Sequence, residues 1–399
     1  MTGHNACLPS LKIGLFTYHF SDNYGALFQA YGLREWLRKH GHVAEFVNYH
    51  PRYVEEGGSF DRIYDPRRWK KNLTIAYMKA VHYRTQWFGN RSQRREFDAF
   101  RSEHLGVDGP RRYSAEELAQ DVRGLDMLIC GSDQIWNPSI QRGLDPVYFL
   151  NFSSAVGLCR ISYAPSFGKR QLDSAYQEDA KHFLACLDGV SVRERSGAEI
   201  VAGLTGQDAV VVPDPTILLG DFGDLIGQET TGVVGNHVFC YALRSDEPIR
   251  QVAERVGEVL EAKIVSPRTS RQRWRDIGTG IQPGPVDWLR SLATSRFVVS
   301  NSFHGIVLSI LHHRPFIAVG LPAGKGALNE RALDLLEQVG LLGRFVETFS
   351  SARVDQLISE TIDWSHVDAC LAQLRGIGQE FLKDEISQCV GRLKVPTRF

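Results

Sequence analysis

The sequence predicts a doubly wound α/β protein in two halves, and three observations carry that expectation. Short apolar, β-branched runs alternate with stretches of helical apolar spacing, the pattern of strand–helix units that build parallel sheets. The chain has 399 residues, the length of two ordinary domains. The Gly-, Asp- and Thr-rich segment Gly220–Gly235 divides the runs into two sets, as a linker does. The expected units are residues 1–220, residues 236–365 and a final helix at 366–393.

In the first set, strands are expected at Lys12–Tyr18, Val43–Tyr49, Asp126–Gly131, Arg160–Ala164, Gly189–Arg193 and Ala209–Val212. Helices are expected at Gly25–His40, Leu172–Leu187 and Ser196–Leu204. The second set offers strands at His237–Leu243, Lys263–Ser266, Phe297–Ser300 and Phe316–Val319. Its helices are expected at Ile249–Glu261, Val286–Thr294, Ser302–His313 and Asn329–Val339. In the tail, Cys370, Leu371, Leu374, Ile377, Phe381, Leu382 and Ile386 fall at helical spacing. A long last helix could thus pack back across the first domain.

Between Asp61 and His104 the alternation breaks. Eleven Lys and Arg stand there against five acids, interleaved with Trp69, Tyr77, Tyr83, Trp87 and Phe88. It reads as an inserted helical excursion, either a solvated lid or a helix pair lying on anionic lipid.

Composition excludes several classes. Lys plus Arg and Asp plus Glu are both 46, so the net charge is zero, unlike a chain built to coat nucleic acid. No apolar run reaches bilayer length, and MTGHNACLPSLKIGLF shows no export signal. A cytoplasmic location is expected. The cysteines at 7, 130, 159, 186, 240, 370 and 389 are odd in number, scattered and without a C-x-x-C pair. They read as reduced thiols, neither a disulfide framework nor a zinc site. GTGIQPG (278–284) follows no clear strand and contains Pro283, so it is set aside as a dinucleotide loop.

Open α/β sheets bind ligands beyond the carboxyl ends of their strands. The loop HFSDNYGAL places Asn23, Tyr24 and Gly25 at the first such end, either as ligand contacts or as a helix cap. ICGSDQIWNP adds Ser132, Asp133, Gln134, Trp136 and Asn137, either a substrate platform or a capped turn with a core Trp. SYAPSFG adds Ser166. VSVRERSG puts Arg193 at a strand end, shaped for a carboxylate or phosphate, with an ion pair to Glu194 or Glu199 as the alternative. Asp214 stands between two prolines, placed to orient a His, to receive a proton or to cap the turn at Thr216. In VVSNSFHGIVLSILHH, Ser302 and Phe303 open an apolar helix and put His304 in its first turn, where anions are favoured and a His can donate a proton. GLPAGKGALNER supplies Lys325 and Arg331, either over an anion or in a solvated turn.

NYGALFQAYGL, GSDQIWNP, YAPSFG, VRERSG, VPDPTILL and SNSFHGIVLSILHHRPFI occur in the order seen in the polysaccharide pyruvyltransferase family. The likeness spans Lys12 to Leu342 and is nearest to the branch with an NYGAxLQAYAL-type start. The resemblance implies two Rossmann-like domains facing a cleft, in the manner of GT-B glycosyltransferases. It implies transfer of pyruvyl from phosphoenolpyruvate to a glycan acceptor, as a ketal, without metal or cofactor. It places the family's motif His on His304 and its strand-end Arg on Arg193. Ser302, Phe303, Lys325 and Arg331 would then join Arg193 around phosphoenolpyruvate. Asn23, Tyr24, Gly25, Ser132, Gln134, Trp136, Asn137 and Ser166 would line the acceptor side. The sequence departs from the pattern at points. Asn301 stands where relatives often have Asp, so Asp214 or Asp133 would have to serve His304, and Gly32 replaces the Ala of AYAL. A lipid-linked acceptor would give the basic excursion a membrane to face. The competing readings are a glycosyltransferase using a nucleotide sugar on the same fold, or a non-catalytic partner in glycan assembly.

Overall fold

The computed structural model describes residues 9–51, 90–230, 232–243, 246–268, 277–321 and 326–394 (backbone only at 326–328), with scattered positions between 53 and 80. The first half begins with β1 (Lys12–Phe16), α1 (Tyr24–Lys39), β2 (Val43–Phe46) and α2 (Arg91–Leu105). It continues through β3 (Met127–Cys130), α3 (Pro138–Gln141), β4 (Cys159–Ser162) and α4 (Gln177–Leu184). It ends with β5 (Ser191–Val192), α5 (Arg195–Thr205), β6 (Val210–Val211), α6 (Pro215–Leu219) and α7 (Gly223–Ile226). The second half opens with β7 (His237–Tyr241), α8 (Glu247–Val259), β8 (Lys263–Pro267), β9 (Thr279–Ile281), α9 (Pro285–Ala293) and β10 (Phe297–Ser300). After it come α10 (Phe303–Leu311), β11 (Phe316–Val319), α11 (Gly326–Gln338), β12 (Phe345–Val346), α12 (Ser351–Ser359) and α13 (Trp364–Lys394).

Every named strand pairing is parallel. The second sheet runs β12-β11-β10-β7-β8-β9, the doubly wound order that reverses direction between β7 and β10. The first runs β2-β1-β3-β4 and reverses between β1 and β3. Its continuation, the pair β5-β6, meets β4 through a bridge at Ile161 and Gly189. The ladder changes there because two buried serines enter it. Ser162 Oγ donates to Ser191 O at 2.8 Å, and Ser191 Oγ donates to Ser162 O at 2.7 Å.

The strands β3, β10 and β11 are buried on both faces, which is why they read as unbroken apolar runs. The two halves share a core. Trp288 of α9 is fully buried and stacks on Tyr24 of α1 at 5.0 Å, with Phe28 at 5.6 Å. Phe97 and Phe100 of α2 join that cluster, so the end of the basic excursion is a packed helix. Most of 61–90 lies outside the described residues; Trp69, Leu73 and Tyr77 are exposed.

Several local expectations change. Thr279–Ile281, inside GTGIQPG, is an edge strand paired with β8. The stretch 220–235 crosses between the halves, but its first part is α7, with Phe222, Leu225 and Ile226 buried in the shared core. α13 buries Phe381, Leu382, Ile386 and Val390 against β1, β3 and β4 of the first half. That fold-back corrects the reading of all cysteines as unpaired: Cys159 of β4 and Cys389 of α13, 230 residues apart, form a disulfide. Scattered spacing hid the pair because only tertiary packing brings the two together. No helix among the described residues is long and apolar enough to cross a membrane.

Candidate active site

The site forms between the carboxyl end of β10 in the second half and the ends of β1, β5 and β6 in the first. Ser300 ends β10, and its Oγ accepts from Ser302 N–H at 3.1 Å. Ser302 caps α10, its Oγ accepting from Gly305 N–H at 3.5 Å. Asn301 Oδ1 accepts from Leu243 N–H at 2.8 Å and so ties the loop after β7 to the loop after β10. Phe303 and His304 are thereby held in the first helical turn, both buried.

Across the cleft, Asp214 is the N-cap of α6, fixed between Pro213 and Pro215. Its Oδ1 accepts from Thr216 N–H at 3.0 Å and Thr216 Oγ1 at 2.8 Å. Its Oδ2 accepts from Arg193 Nη1 at 2.9 Å and lies 3.4 Å from His304 Nε2. One oxygen thus caps the turn, and the other faces Arg193 and His304. Burial alone would raise this carboxyl, but His304, Arg193 and the Thr216 N–H outweigh it and hold it well below the usual carboxylate range.

His304 reaches across because α1 gives way at Gly25. A methyl at Gly25 would fall inside 3.0 Å of the imidazole, at Nδ1, Cγ and Cε1. The ring thus lies on the first turn of α1, with Nε2 turned to Asp214. Gly32, one position of departure from the family pattern, does similar work two turns on: a methyl there would sit 2.5 Å from Pro215 O.

Arg193 is 8% exposed, yet its Nε and Nη2 have no hydrogen-bond partner. Buried donors are nearly always satisfied, so two free N–H groups on one guanidinium point to a ligand with acceptor oxygens. Glu194 Oε2 at 3.7 Å and Asp133 Oδ1 at 3.8 Å flank it. Burial would weaken its proton affinity, but Asp214, Glu194 and Asp133 more than restore it. Phe303 separates two cations: Arg193 Cζ stands 5.2 Å from its ring centre and Arg331 Cζ 5.7 Å. Burial, then the charge of Arg193, bring Arg331 down to about 10, so it remains cationic at neutral pH. Arg331 Nε and His304 Nε2 are likewise buried without a hydrogen bond. This arrangement can hold an anion beside an oriented imidazole.

Other expected contacts prove structural. Trp136 is fully buried, stacked on Phe149 at 4.8 Å, with its N–H donating to Tyr148 O. It is core and not an acceptor platform. Ser132 is also fully buried, its Oγ donating to Ala164 O at 2.7 Å and its N–H to Gln29 Oε1 at 3.0 Å. Ser166 Oγ donates to Glu194 Oε1 at 2.6 Å, so it braces the neighbour of Arg193. Tyr24 OH donates to Pro283 O at 2.8 Å and joins the halves. Asn137 caps α3 and donates to Gln134 Oε1 at 2.6 Å. Asn23 caps α1 and stays exposed at the cleft. Asp133, half-buried, takes a left-handed backbone with φ of 68° beside Arg193. Lys325 lies outside the described residues. Glu194, which the sequence marks only as an ion-pair partner of Arg193, stands beside that guanidinium, and its place in VRERSG is the signal for it. Among the described residues, no cluster of His, Cys, Asp and Glu could hold a metal ion.

Comparisons with known proteins bear on this geometry. The chain is similar in structure to a UDP-N-acetylglucosamine 2-epimerase from Rickettsia bellii, with a TM-score of 0.50, 10% identity, and 98% of this chain and 99% of that chain covered. It is also similar to the glycosyltransferase SnogD from Streptomyces nogalater, with a TM-score of 0.42, 10% identity, and 96% and 99% coverage. At such identity the epimerase likeness speaks for the fold alone, which is GT-B-like. No curated protein matches the sequence. The family model described as polysaccharide pyruvyl transferase matches residues 23–321, a span that runs from the cap of α1 through Arg193 and Asp214 to His304. On that match, over about three quarters of its length, the chain belongs to the polysaccharide pyruvyl transferase family.

Proposed function

We propose that the protein moves the pyruvyl group of phosphoenolpyruvate onto two hydroxyls of a sugar, as a ketal, in a surface polysaccharide or its lipid-linked precursor. The observation that carries this reading is the set of buried polar atoms without a hydrogen bond on Arg193, Arg331 and His304 around Phe303. Phosphoenolpyruvate presents a carboxylate and a phosphate. Arg193, Arg331 and the first turn of α10 at Ser302 and Phe303 would bind them, with Lys325 as a further cation.

In the scheme, one acceptor hydroxyl adds to the enol carbon while His304, as imidazolium, delivers a proton to the methylene carbon, which becomes methyl, and the neutral imidazole then takes the proton left on the new ether oxygen. Asp214 holds the ring in place. The second hydroxyl then replaces phosphate at the same carbon, with Asp133 as the carboxylate placed to accept a proton. The cations stabilise the departing phosphate. The scheme needs no metal or cofactor. Asn23, which is exposed, and Gln134, half-buried, are the acceptor contacts this reading retains. A lipid-linked acceptor would bring a cytoplasmic protein to the inner membrane face, with the basic stretch 61–104 toward anionic lipid.

The test is release of inorganic phosphate from phosphoenolpyruvate with glycan acceptors. His304→Ala should lower it about 10²–10⁴-fold, the usual worth of a general acid. Wild-type protein that consumes no phosphoenolpyruvate with any acceptor, but is stabilised thermally by UDP- or GDP-sugars, would replace this reading with nucleotide-sugar transfer.

A further inference from the structure

We propose that the C-terminal helix α13, which lies outside the matched span 23–321, is a positioning element of the active site. Its Arg375 and Gly378 hold the Pro213–Asp214–Pro215 turn against His304. The catalytic part of this inference rests on the function proposed above.

The argument begins with α6. It has five residues, too few for its own hydrogen bonds to fix it, so neighbours must set its position. Asp214 is its N-cap and moves with it. At the other end, Arg375 Nε donates to Ile217 O at 2.9 Å, satisfying one carbonyl that the helix leaves open. The same guanidinium lies over the turn that ends α6: a methyl at Gly220, where φ is 77°, would stand 2.8 Å from Arg375 Nη2.

Gly378 supplies the second contact. A methyl there would meet Tyr163 OH at 2.5 Å, Pro213 Cδ at 3.2 Å and Leu218 Cδ1 at 3.3 Å. Pro213 precedes Asp214 in the turn, and Leu218 lies within α6. Only a residue without a side chain lets α13 approach so closely. The turn is thus held between two notched helices, α1 at Gly32 and α13 at Gly378.

α13 is itself firmly seated. Val367 and Leu371 belong to the core shared by both halves. Further along, Phe381, Leu382, Ile386 and Val390 pack under the first sheet. Arg392 pairs with Asp188 at 2.6 Å, and Cys389 is bonded to Cys159. A helix fixed at both ends and touching α6 in the middle transmits its position to Asp214.

The test compares full-length wild type with Arg375→Ala, Gly378→Ala and the conservative Arg375→Lys. Two readouts are taken. Hydrogen exchange measured on peptides covering 213–220 should quicken at least tenfold in both alanine variants, with peptides of β1 and β3 unchanged. Phosphate release from phosphoenolpyruvate should fall about tenfold in the alanine variants and recover at least half of that loss in Arg375→Lys. Unchanged exchange at 213–220, an increase spread evenly over the chain, or faster exchange with full turnover would each overturn the proposal. If wild-type protein shows no phosphoenolpyruvate turnover, the proposed reaction fails while the exchange readout still decides whether α13 holds the turn.

Discussion

Gly25 shows how one missing side chain can define a site. In a helix, alanine is normally preferred over glycine by about 1 kcal/mol, and Gly25 is in the first turn of α1 with ordinary helical backbone. Gly25→Ala should therefore stabilise the helix but push the imidazole of His304 from its place. We expect turnover to fall about 10–100-fold, the scale of a reacting group misplaced by about an ångström, with little change in melting temperature. Full activity in this variant would show that His304 does not need the space. Asp214 gives a second expectation. Its carboxyl is held below its ordinary value in the folded state, so the fold favours the ionised form. That contribution is complete above the usual carboxylate range, near pH 4, and is lost as pH falls below it. The stability gap between wild type and Asp214→Asn, read from urea unfolding, should therefore narrow from about pH 5 to about pH 2. A gap that stays constant would remove Asp214 from acid sensitivity. His304, Arg193 and Asp214 were legible because each sits where a strand or turn meets a helix. Trp136, Ser132 and Ser166 occupy equally suggestive strand ends, but sequence position does not reveal whether a side chain turns to the cleft or to the core.

Among elements, the joint between β4 and β5 is made by side chains. Ser191 Oγ donates to Ser162 O and accepts from Ala164 N–H at 3.3 Å, all within the buried core. Ser191→Ala would leave both backbone groups without that partner. The expected cost is about 1–3 kcal/mol, seen as a lower urea midpoint with the same slope; a midpoint within error of wild type would mean the backbone closes the ladder by itself. Arg193 follows two residues after this joint, so the joint also sets where the site's guanidinium begins. Long elements were legible for a simple reason. Fully buried strands such as β10 and β11 must be apolar throughout, and α10 between them is buried at nearly every position. β12 has two residues and β9 three, so neither spans enough positions to show a period. They exist because β11 and β8 offer open edges to pair with. α6, with five residues, is likewise too short to show a helical period.

At the scale of the whole molecule, α13 closes the chain upon itself. The zero net charge and scattered cysteines describe an ordinary globular composition, and neither reveals that residue 389 returns to the fourth strand. The apolar spacing of the tail indicated a helix, while its partner surface required the folded first sheet. The disulfide between Cys159 and Cys389 encloses 230 residues of separation. In the chain-entropy account, a link of that span removes up to about 5 kcal/mol of freedom from the unfolded state. Burial of Phe381, Leu382, Ile386 and Val390 holds the helix independently of the bond. Reduction should therefore leave the native fold intact but lower its melting temperature, by roughly 5–10 °C for a chain of this size. Two further thiols should become alkylated under denaturing conditions only after reductant is added. The replacement Cys389→Ser should melt at the temperature of the reduced wild type and no longer respond to reductant. If wild type shows the same melting temperature and the same alkylation with and without reductant, then the two sulfurs are adjacent thiols, and the hold of α13 on the first half is carried by its apolar face, the pair of Arg392 with Asp188 and the hydrogen bond from Arg375 to Ile217.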